Sequence, residues 1–128
     1  MKILGIGVDL IYNERIKKLI NNKIFIKRTF GNFEVKYSKK ILNKTNYFAK
    51  RFAAKEAFAK SLGTGFRNNL SFKDIEILND KIGKPYYFKS KKIDNIINKR
   101  FKIKRYKLFL SISDEKDYSV AFTILQTL

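Results

Sequence analysis

Residues 47–62 read YFAKRFAAKEAFAKSL, an alanine-rich run that contains neither glycine nor proline. Alanine has the highest helix propensity, and nothing in the run breaks a helix, so the run predicts one long helix. Gly63 follows directly, where a glycine in the left-handed conformation commonly ends a helix. This helix is the element on which a sheet can pack.

Strand patterns lie on both sides of this helix. Residues 2–10, KILGIGVDL, predict a strand that ends near Asp9 or Leu10, and Gly5 and Gly7 mark points where another backbone approaches closely. Two β-hairpins are predicted, one from residues 74–78 and 86–88 around the turn at 79–85, and one from residues 106–113 and 118–126 around 114–117.

Shorter helical patterns fill the remaining chain. Asn13 and Ser90 are predicted helix caps, and residues 25–29 and 33–41 predict short helical pieces. A turn is expected at Asn68-Asn69. The order of elements predicts a single α+β domain, 1–128, with a small antiparallel or mixed sheet packed on one long helix.

Composition excludes several kinds of site. The chain has 128 residues, no Cys and no His, which removes disulfides, thiolate metal sites and the commonest general base. Any enzyme here must use carboxylates, lysines, hydroxyls or a metal held by oxygen. No apolar run is long enough for a membrane span, so a soluble, cytoplasmic protein is expected.

The charge favours anionic partners. Lys and Arg number 29 against 11 Asp and Glu, which gives a net charge of +18. A compositional bias toward Lys, Asn, Ile and Phe explains the same count without a functional cause. A nucleic-acid-binding protein is the main rival to an enzyme, but it rests on charge alone because no RNA-binding or zinc-finger motif is present. Nucleic acid is therefore not an expected partner.

Two carboxylates are candidates for chemistry. Glu56 and Lys60 are four residues apart on the predicted helix, which by spacing alone indicates an ordinary surface ion pair. Asp9 follows an apolar strand, where an aspartate is more often a turn residue than a ligand. If Asp9 and Glu56 converge, two hard oxygen ligands suit Mg²⁺, which commonly borrows phosphate oxygens from its substrate.

Two glycine-containing segments are ambiguous when taken alone. Gly63-Thr64-Gly65 could expose N–H groups to phosphate, but it lacks P-loop spacing, and helix termination is the simpler interpretation. Gly83-Lys84-Pro85 is equally well explained as a plain turn.

The ordered set of motifs is more specific than its members. Gly5-Ile-Gly-Val-Asp9, the RFAAKEA run from Arg51 with Lys60 and Gly63-Thr-Gly65, then Gly83-Lys-Pro85, resemble the bacterial holo-acyl-carrier-protein synthases. The hairpin at residues 111–114, Ser-Ile-Ser-Asp, also fits this family of the 4'-phosphopantetheinyl transferase superfamily. The resemblance spans nearly the whole chain.

The resemblance implies an activity and a set of site residues. Members transfer 4'-phosphopantetheine from coenzyme A to a serine of apo acyl carrier protein, in fatty acid biosynthesis. By this resemblance Asp9 and Glu56 hold Mg²⁺, and Lys60 lies near the coenzyme A phosphates and assists transfer. The cofactor-binding positions implied more softly are Arg51, Gly63, Gly83, Lys84, Pro85, Ser113 and Asp114.

The resemblance also bears on assembly and mechanism. Members of this size are commonly homotrimers with active sites between subunits. Many carry histidine where this chain has Asp114, although others have aspartate there. Since the chain has no histidine, Glu56 is the expected base for the carrier serine, directly or through a water. Arg15, Lys17 and Lys18 are expected to steer an acidic carrier protein. A catalytically dead relative of the same fold would have lost the acidic pair, which this chain retains.

Overall fold

A computed structural model describes residues 1–67 and 69–128. Its elements, in chain order, are β1 Ile3–Tyr12, α1 Asn13–Leu19, α2 Lys23–Thr29, α3 Asn32–Ser38, α4 Lys44–Ser61, a 3₁₀ turn Phe72–Asp74, β2 Ile77–Asn79, β3 Pro85–Tyr87, α5 Lys91–Phe101, β4 Tyr106–Asp114 and β5 Tyr118–Thr127. Asn68, half of the turn predicted at Asn68-Asn69, lies outside the described residues.

The described residues form two antiparallel sheets. The larger has the strand order β1-β5-β4, and the smaller pairs β2 with β3. Of the two sheet types that the sequence left open, the antiparallel one is observed, because all three strand pairings in the described part of the chain are antiparallel. This confirms an α+β fold in which a small sheet packs on one long helix.

The long helix is the centre of the core. It begins at Lys44, three residues earlier than the alanine-rich run predicts, because the Asn43 side chain caps it by accepting a hydrogen bond from the N–H of Asn46. It ends as predicted, since Gly63 follows with φ of +77°. The helix packs against β1 and β5, and Ala49, Ala53, Ala54 and Ala57 are fully buried along it.

Glycine permits close contact between β1 and α4. A Cβ on Gly5 would lie 1.8 Å from the carbonyl oxygen of Ser61, and one on Gly7 would lie 1.8 Å from that of Ala57. Only glycine fits either position, as the sequence pattern predicts. The backbone of β1 therefore runs directly beneath the last two turns of α4.

Two predictions near the end of β1 are wrong. The strand continues to Tyr12, because β5 pairs with it as far as Tyr118, so Asp9 lies inside the strand and not at its end. Asn13 does not cap α1 through its side chain. That side chain is buried and instead donates hydrogen bonds to the carbonyl oxygens of Glu115 (3.0 Å) and Lys116 (3.1 Å).

The other elements follow the sequence patterns with shifted bounds. Ser90 caps α5 as predicted, since its Oγ accepts a hydrogen bond from the N–H of Ile93 at 3.2 Å. The short helix predicted at residues 33–41 ends at Ser38, and the piece predicted at 25–29 begins at Lys23. Neither difference changes which residues reach the site.

Candidate active site

Asp9 reaches the site because β1 alternates its side chains between two faces. Gly5, Gly7 and Asp9 share the face that meets α4, and the two glycines bring the helix close enough for Asp9 to contact it. The Asp9 side chain keeps 16% of its surface exposed. Burial is the largest influence on its carboxyl group and raises the pKa above the ordinary value of 3.8.

Glu56 lies on the facing part of α4. Its pKa is also raised above the ordinary value of 4.5, first by burial and then by the negative charge of Asp9. The second cause means that the charge of Asp9 reaches Glu56 across the interface between strand and helix. The convergence that the sequence left conditional is therefore present in the fold.

Lys60 bridges the same two elements. Its Nζ donates hydrogen bonds to Asp9 Oδ1 at 3.3 Å and to the carbonyl oxygen of Val8 at 2.9 Å. The spacing of Glu56 and Lys60 predicted that they form a surface ion pair, and this prediction is wrong. Within the described residues, Lys60 forms its salt bridge with Asp9. The packing of β1 on α4 places Asp9 within salt-bridge distance of the ammonium.

The donor set is suited to a hard cation. No cluster of three or more His, Cys, Asp or Glu side chains with metal-ligand geometry occurs within the described residues, so the protein supplies two carboxylates. Burial raises the pKa of both carboxyl groups, and the charge of Asp9 raises that of Glu56 further, so a nearby divalent cation would offset both effects. Mg²⁺ accepts such a site because it retains waters and takes phosphate oxygens as further ligands.

Arg51 does not join this cluster within one chain. Five residues at about 100° each turn its side chain roughly 140° away from that of Glu56 around the helix. Its guanidinium lies 3.8 Å from the ring centroid of Tyr47, and Nη2 donates a 2.5 Å hydrogen bond to Asn79 Oδ1. Arg51 is only 5% exposed, and Nε is buried without a partner in the described part of the chain.

A cavity of about 290 Å³ lies on the Arg51 side of the helix. Its walls come from α3, α4, β2 and β3 and include Lys36, Tyr37, Tyr47, Arg51, Asn79 and Tyr86. Burial lowers the pKa of the Arg51 guanidinium. The predicted cofactor contact of Arg51 stays a prediction, and this cavity is where such a contact would be made.

The Ser113 and Asp114 side chains lie on opposite faces of the sheet. In the register of β4 and β5, Ser113 pairs with Val120, whose partner on β1 is the exposed Leu10. Asp114 lies on the α4 side, where Asn46 Nδ2 donates a 2.9 Å hydrogen bond to Oδ2 and Lys50 Nζ lies 3.8 Å from Oδ1. Asp114 is therefore already engaged by polar partners of its own chain.

Gly83-Lys84-Pro85 forms the turn between β2 and β3. Gly83 has φ of +89°, and the side chain of Asp80 accepts hydrogen bonds from the N–H groups of Ile82 and Lys84 at 3.0 and 2.8 Å. Pro85 then starts β3 opposite Asn79. The turn is exposed, which leaves its cofactor role a prediction.

Sequence reasoning missed a buried ion pair beside the site. Lys55, the residue before Glu56, is fully buried, and its Nζ lies 2.6 Å from Glu34 Oε1. Glu34 also accepts hydrogen bonds from the N–H groups of Gly31 (3.0 Å) and Ile77 (3.1 Å). Glu34 supplies half of a capping box at the start of α3, but the Gly31 N-cap has no side chain to complete it, so the sequence signature for this interaction is incomplete.

Sequence comparisons agree with the motifs. The sequence model of the 4'-phosphopantetheinyl transferase superfamily matches residues 5–123. The holo-[acyl-carrier-protein] synthase of Pelagibacter ubique is 60% identical over 126 residues, which cover 98% of each chain. That of Ehrlichia chaffeensis is 45% identical, again with 98% of each chain covered.

Solved structures agree with the fold. The holo-[acyl-carrier-protein] synthase of Neisseria meningitidis superposes with a TM-score of 0.88 at 36% identity, covering 98% of this chain and 99% of that one. The enzyme of Bacillus anthracis in complex with CoA (3',5'-ADP) superposes with a TM-score of 0.83 at 35% identity over the whole of both chains. The chain with the Asp9, Glu56 and Lys60 cluster thus belongs to the holo-acyl-carrier-protein synthases of the 4'-phosphopantetheinyl transferase superfamily.

Proposed function

We propose that this protein transfers 4'-phosphopantetheine from coenzyme A to a serine of apo acyl carrier protein, as a step that supports fatty acid biosynthesis. The observation that carries the proposal is the convergence of Asp9, Glu56 and Lys60 at one point between β1 and α4. Related enzymes of this fold are described in complex with CoA or 3',5'-ADP, which supports coenzyme A as the donor.

Mg²⁺ is proposed as the metal, held by the carboxylates of Asp9 and Glu56. When bound, it would offset the negative charge that develops on the diphosphate during transfer. The raised pKa of both carboxyl groups supports this, because partly buried carboxylates that have lost solvation would gain from a bound cation.

The proposed transfer forms one bond to phosphorus and breaks another. The serine oxygen of the carrier forms a bond to the β-phosphorus of coenzyme A, and the bond from that phosphorus to the bridging oxygen breaks. 3',5'-ADP leaves with the electron pair. Glu56 would accept the serine proton, directly or through a water, and Lys60 would place a positive charge near the phosphates.

The carrier protein is the proposed macromolecular partner. Arg15 lies beside the site, where its charge offsets part of the rise that burial causes in the pKa of both Asp9 and Glu56. Its guanidinium lies 5.9 Å from the Phe52 ring centroid. Lys17 and Lys18 follow on the same short helix and are exposed. An acidic carrier would be steered toward this basic helix by long-range attraction.

A homotrimer with active sites between subunits is also proposed. The face of the larger sheet that points away from α4 is apolar and exposed, and it carries Ile6, Val8, Leu10, Tyr12, Phe109, Tyr118 and Phe122. Such a patch commonly marks a protein interface. Ser113 opens onto this face, so a cofactor contact from Ser113 would be made to coenzyme A bound at a neighbouring subunit.

Residues 1–128 are proposed to form one transferase domain, since a single buried cluster joins side chains from β1 through β5. Among the described residues no helix is long and apolar enough to cross a membrane. A cytoplasmic location stays a prediction from the sequence.

Mass spectrometry of a purified apo acyl carrier protein tests the proposed reaction. The carrier is incubated with this protein, coenzyme A and Mg²⁺, and a parallel sample contains EDTA. We expect a gain of one phosphopantetheine arm that EDTA abolishes. Glu56→Gln should lower the rate by about 100-fold or more, whereas Glu115→Gln, on the exposed β4–β5 turn, should not. No gain with several carriers, or a Glu56→Gln enzyme that stays active, would contradict the assignment.

A further inference from the structure

Arg100 is an arginine that no motif of the chain singles out. It lies in the last turn of α5, and its Nε donates a 3.2 Å hydrogen bond to the carbonyl oxygen of Leu62, the residue after α4. The guanidinium is thereby held at the C-terminal end of the helix that carries Glu56 and Lys60. Arg100 as a whole is exposed, so its guanidinium is fixed through Nε while the rest of the side chain remains accessible to solvent.

Gly63 lies beside this guanidinium. Arg100 Nη2 is 3.5 Å from the point where a Cβ on Gly63 would lie, and Gly63 adopts φ of +77°. The N–H of Gly63 bonds to the carbonyl oxygen of Lys60 at 3.0 Å. The backbone therefore places Arg100 beside a turn that begins at Lys60.

A phosphate at this turn would need a positively charged group in addition to Lys60. The C-terminal end of a helix is the negative end of its dipole and by itself disfavours phosphate. The ammonium of Lys60 is already bonded to Asp9 and Val8. Arg100 satisfies the Leu62 carbonyl through a hydrogen bond from Nε, and its two Nη groups have no hydrogen-bond acceptor within the described part of the chain. They remain free for an anion.

We propose that Arg100 binds the diphosphate group of coenzyme A, next to Lys60 and Gly63. This inference rests on the proposed transferase function. A guanidinium presents paired N–H donors that match two oxygens of one phosphate, which an ammonium does not. The competing explanation is that Arg100 only satisfies the end of α4, as basic residues at helix C-termini often do.

Steady-state kinetics of Arg100→Met and Arg100→Lys distinguish the two explanations. For Arg100→Met we expect the KM for coenzyme A to rise about tenfold, with kcat within about twofold and the KM for the carrier unchanged. The inhibition constant of inorganic pyrophosphate should rise by a similar factor. Arg100→Lys keeps the charge without the fork and should lie between wild type and Arg100→Met.

Lys104→Met is the matched control, because Lys104 is exposed and lies four residues further along. It should leave both constants unchanged. The proposal is overturned if Arg100→Met keeps the wild-type KM for coenzyme A, or if the KM for coenzyme A and the KM for the carrier rise together with a lower Tm. If Arg100→Met does not fold, the same measurements of both KM values and the Tm are made on Arg100→Lys. A wild-type protein that transfers nothing would remove the proposed function itself, whereas normal wild-type transfer with an unaffected Arg100→Met removes only this inference.

Discussion

Lys60 Nζ on α4 lies 3.3 Å from Oδ1 of Asp9 on β1, and the same ammonium partly offsets the rise that burial causes in the pKa of both Asp9 and Glu56. The contact joins the strand and the helix that carry the two carboxylates. It also means that Lys60 already interacts with the Asp9 carboxylate that would hold a metal. The lysine and a divalent cation therefore compete electrostatically for Asp9.

Replacing this lysine should separate metal binding from substrate binding. In Lys60→Met we expect Mg²⁺ to bind about fivefold more tightly at neutral pH, because one like charge near the metal is gone. The KM for coenzyme A should rise, because a phosphate loses a cation. Isothermal titration with Mg²⁺ and steady-state kinetics measure the two effects, with Lys104→Met as control. Weaker Mg²⁺ binding in Lys60→Met would show that the lysine organises the site instead.

The stability of the metal-free protein should depend on Glu56 and pH. The raised pKa of Glu56 means that the folded state holds its proton to higher pH than the unfolded chain, so its contribution to stability falls as pH rises above about 4.5. In EDTA, Glu56→Gln should therefore have a higher Tm than wild type near neutral pH, and the difference should vanish in acid. Added Mg²⁺ should stabilise wild type only. Equal Tm values at every pH would contradict the raised pKa.

Gly7→Ala tests the close contact between β1 and α4. The added Cβ would lie 1.8 Å from the carbonyl oxygen of Ala57, so the helix must move. We expect a loss of about 3 kcal/mol or more in unfolding free energy, measured by urea denaturation. Transfer should fall by about 100-fold, because Glu56 shifts relative to Asp9. Gly65→Ala is the comparison, since it has open space and only the strain of φ +67°; equal effects of the two variants would argue against the contact.

Lys55→Met tests the buried ion pair. It leaves the carboxylate of Glu34 fully buried without its cation, which should cost about 3–5 kcal/mol of unfolding free energy. Lys50→Met removes a half-exposed partner of Asp114 at 3.8 Å and should cost less than about 1 kcal/mol. Urea denaturation of both variants gives the comparison. A Lys55→Met protein as stable as Lys50→Met would show that the buried pair contributes little.

Leu10→Asp tests the proposed trimer. Leu10 is 65% exposed within one chain, so the substitution should spare the fold of the single chain while placing a charge in the apolar sheet face. By sedimentation we expect wild type at about three times the 15.1 kDa chain mass and Leu10→Asp as a monomer with reduced transfer. Leu42→Asp, on the exposed link between α3 and α4, should remain like wild type. A monomeric wild type would contradict the trimer.

Local patterns gave most of the elements correctly. The alanine-rich run predicts α4, the alternation around residues 79–85 and 114–117 predicts both hairpins, and Gly5 and Gly7 predict a close approach. These features depend on propensity and on side-chain size, which act over a few residues. The Asn13 cap and the strand end near Asp9 were wrong because pairing with β5 and contacts to the β4–β5 turn override local preference.

For the candidate site too, the sequence predicts some features and the tertiary structure decides others. The types of its residues, Asp9, Glu56 and Lys60, are present in the sequence, and their motifs indicate the family. Their proximity is decided by tertiary structure, because Asp9 and Glu56 are far apart in the chain and approach each other only where the glycines of β1 let α4 come close. Spacing along one helix predicted that Lys60 would pair with Glu56, but strand packing gives it Asp9 and the Val8 carbonyl.

By itself, the sequence determined the central helix, the strand-forming segments and the carboxylates available to a metal, since each follows from the chemistry of neighbouring residues. Only the tertiary structure decided that Arg51 points away from Glu56, that Ser113 and Asp114 lie on opposite sheet faces, and that Arg100 reaches the end of α4. Those relationships depend on helix rotation, strand register and packing between distant segments. No local pattern specifies them, because they arise when the whole core closes.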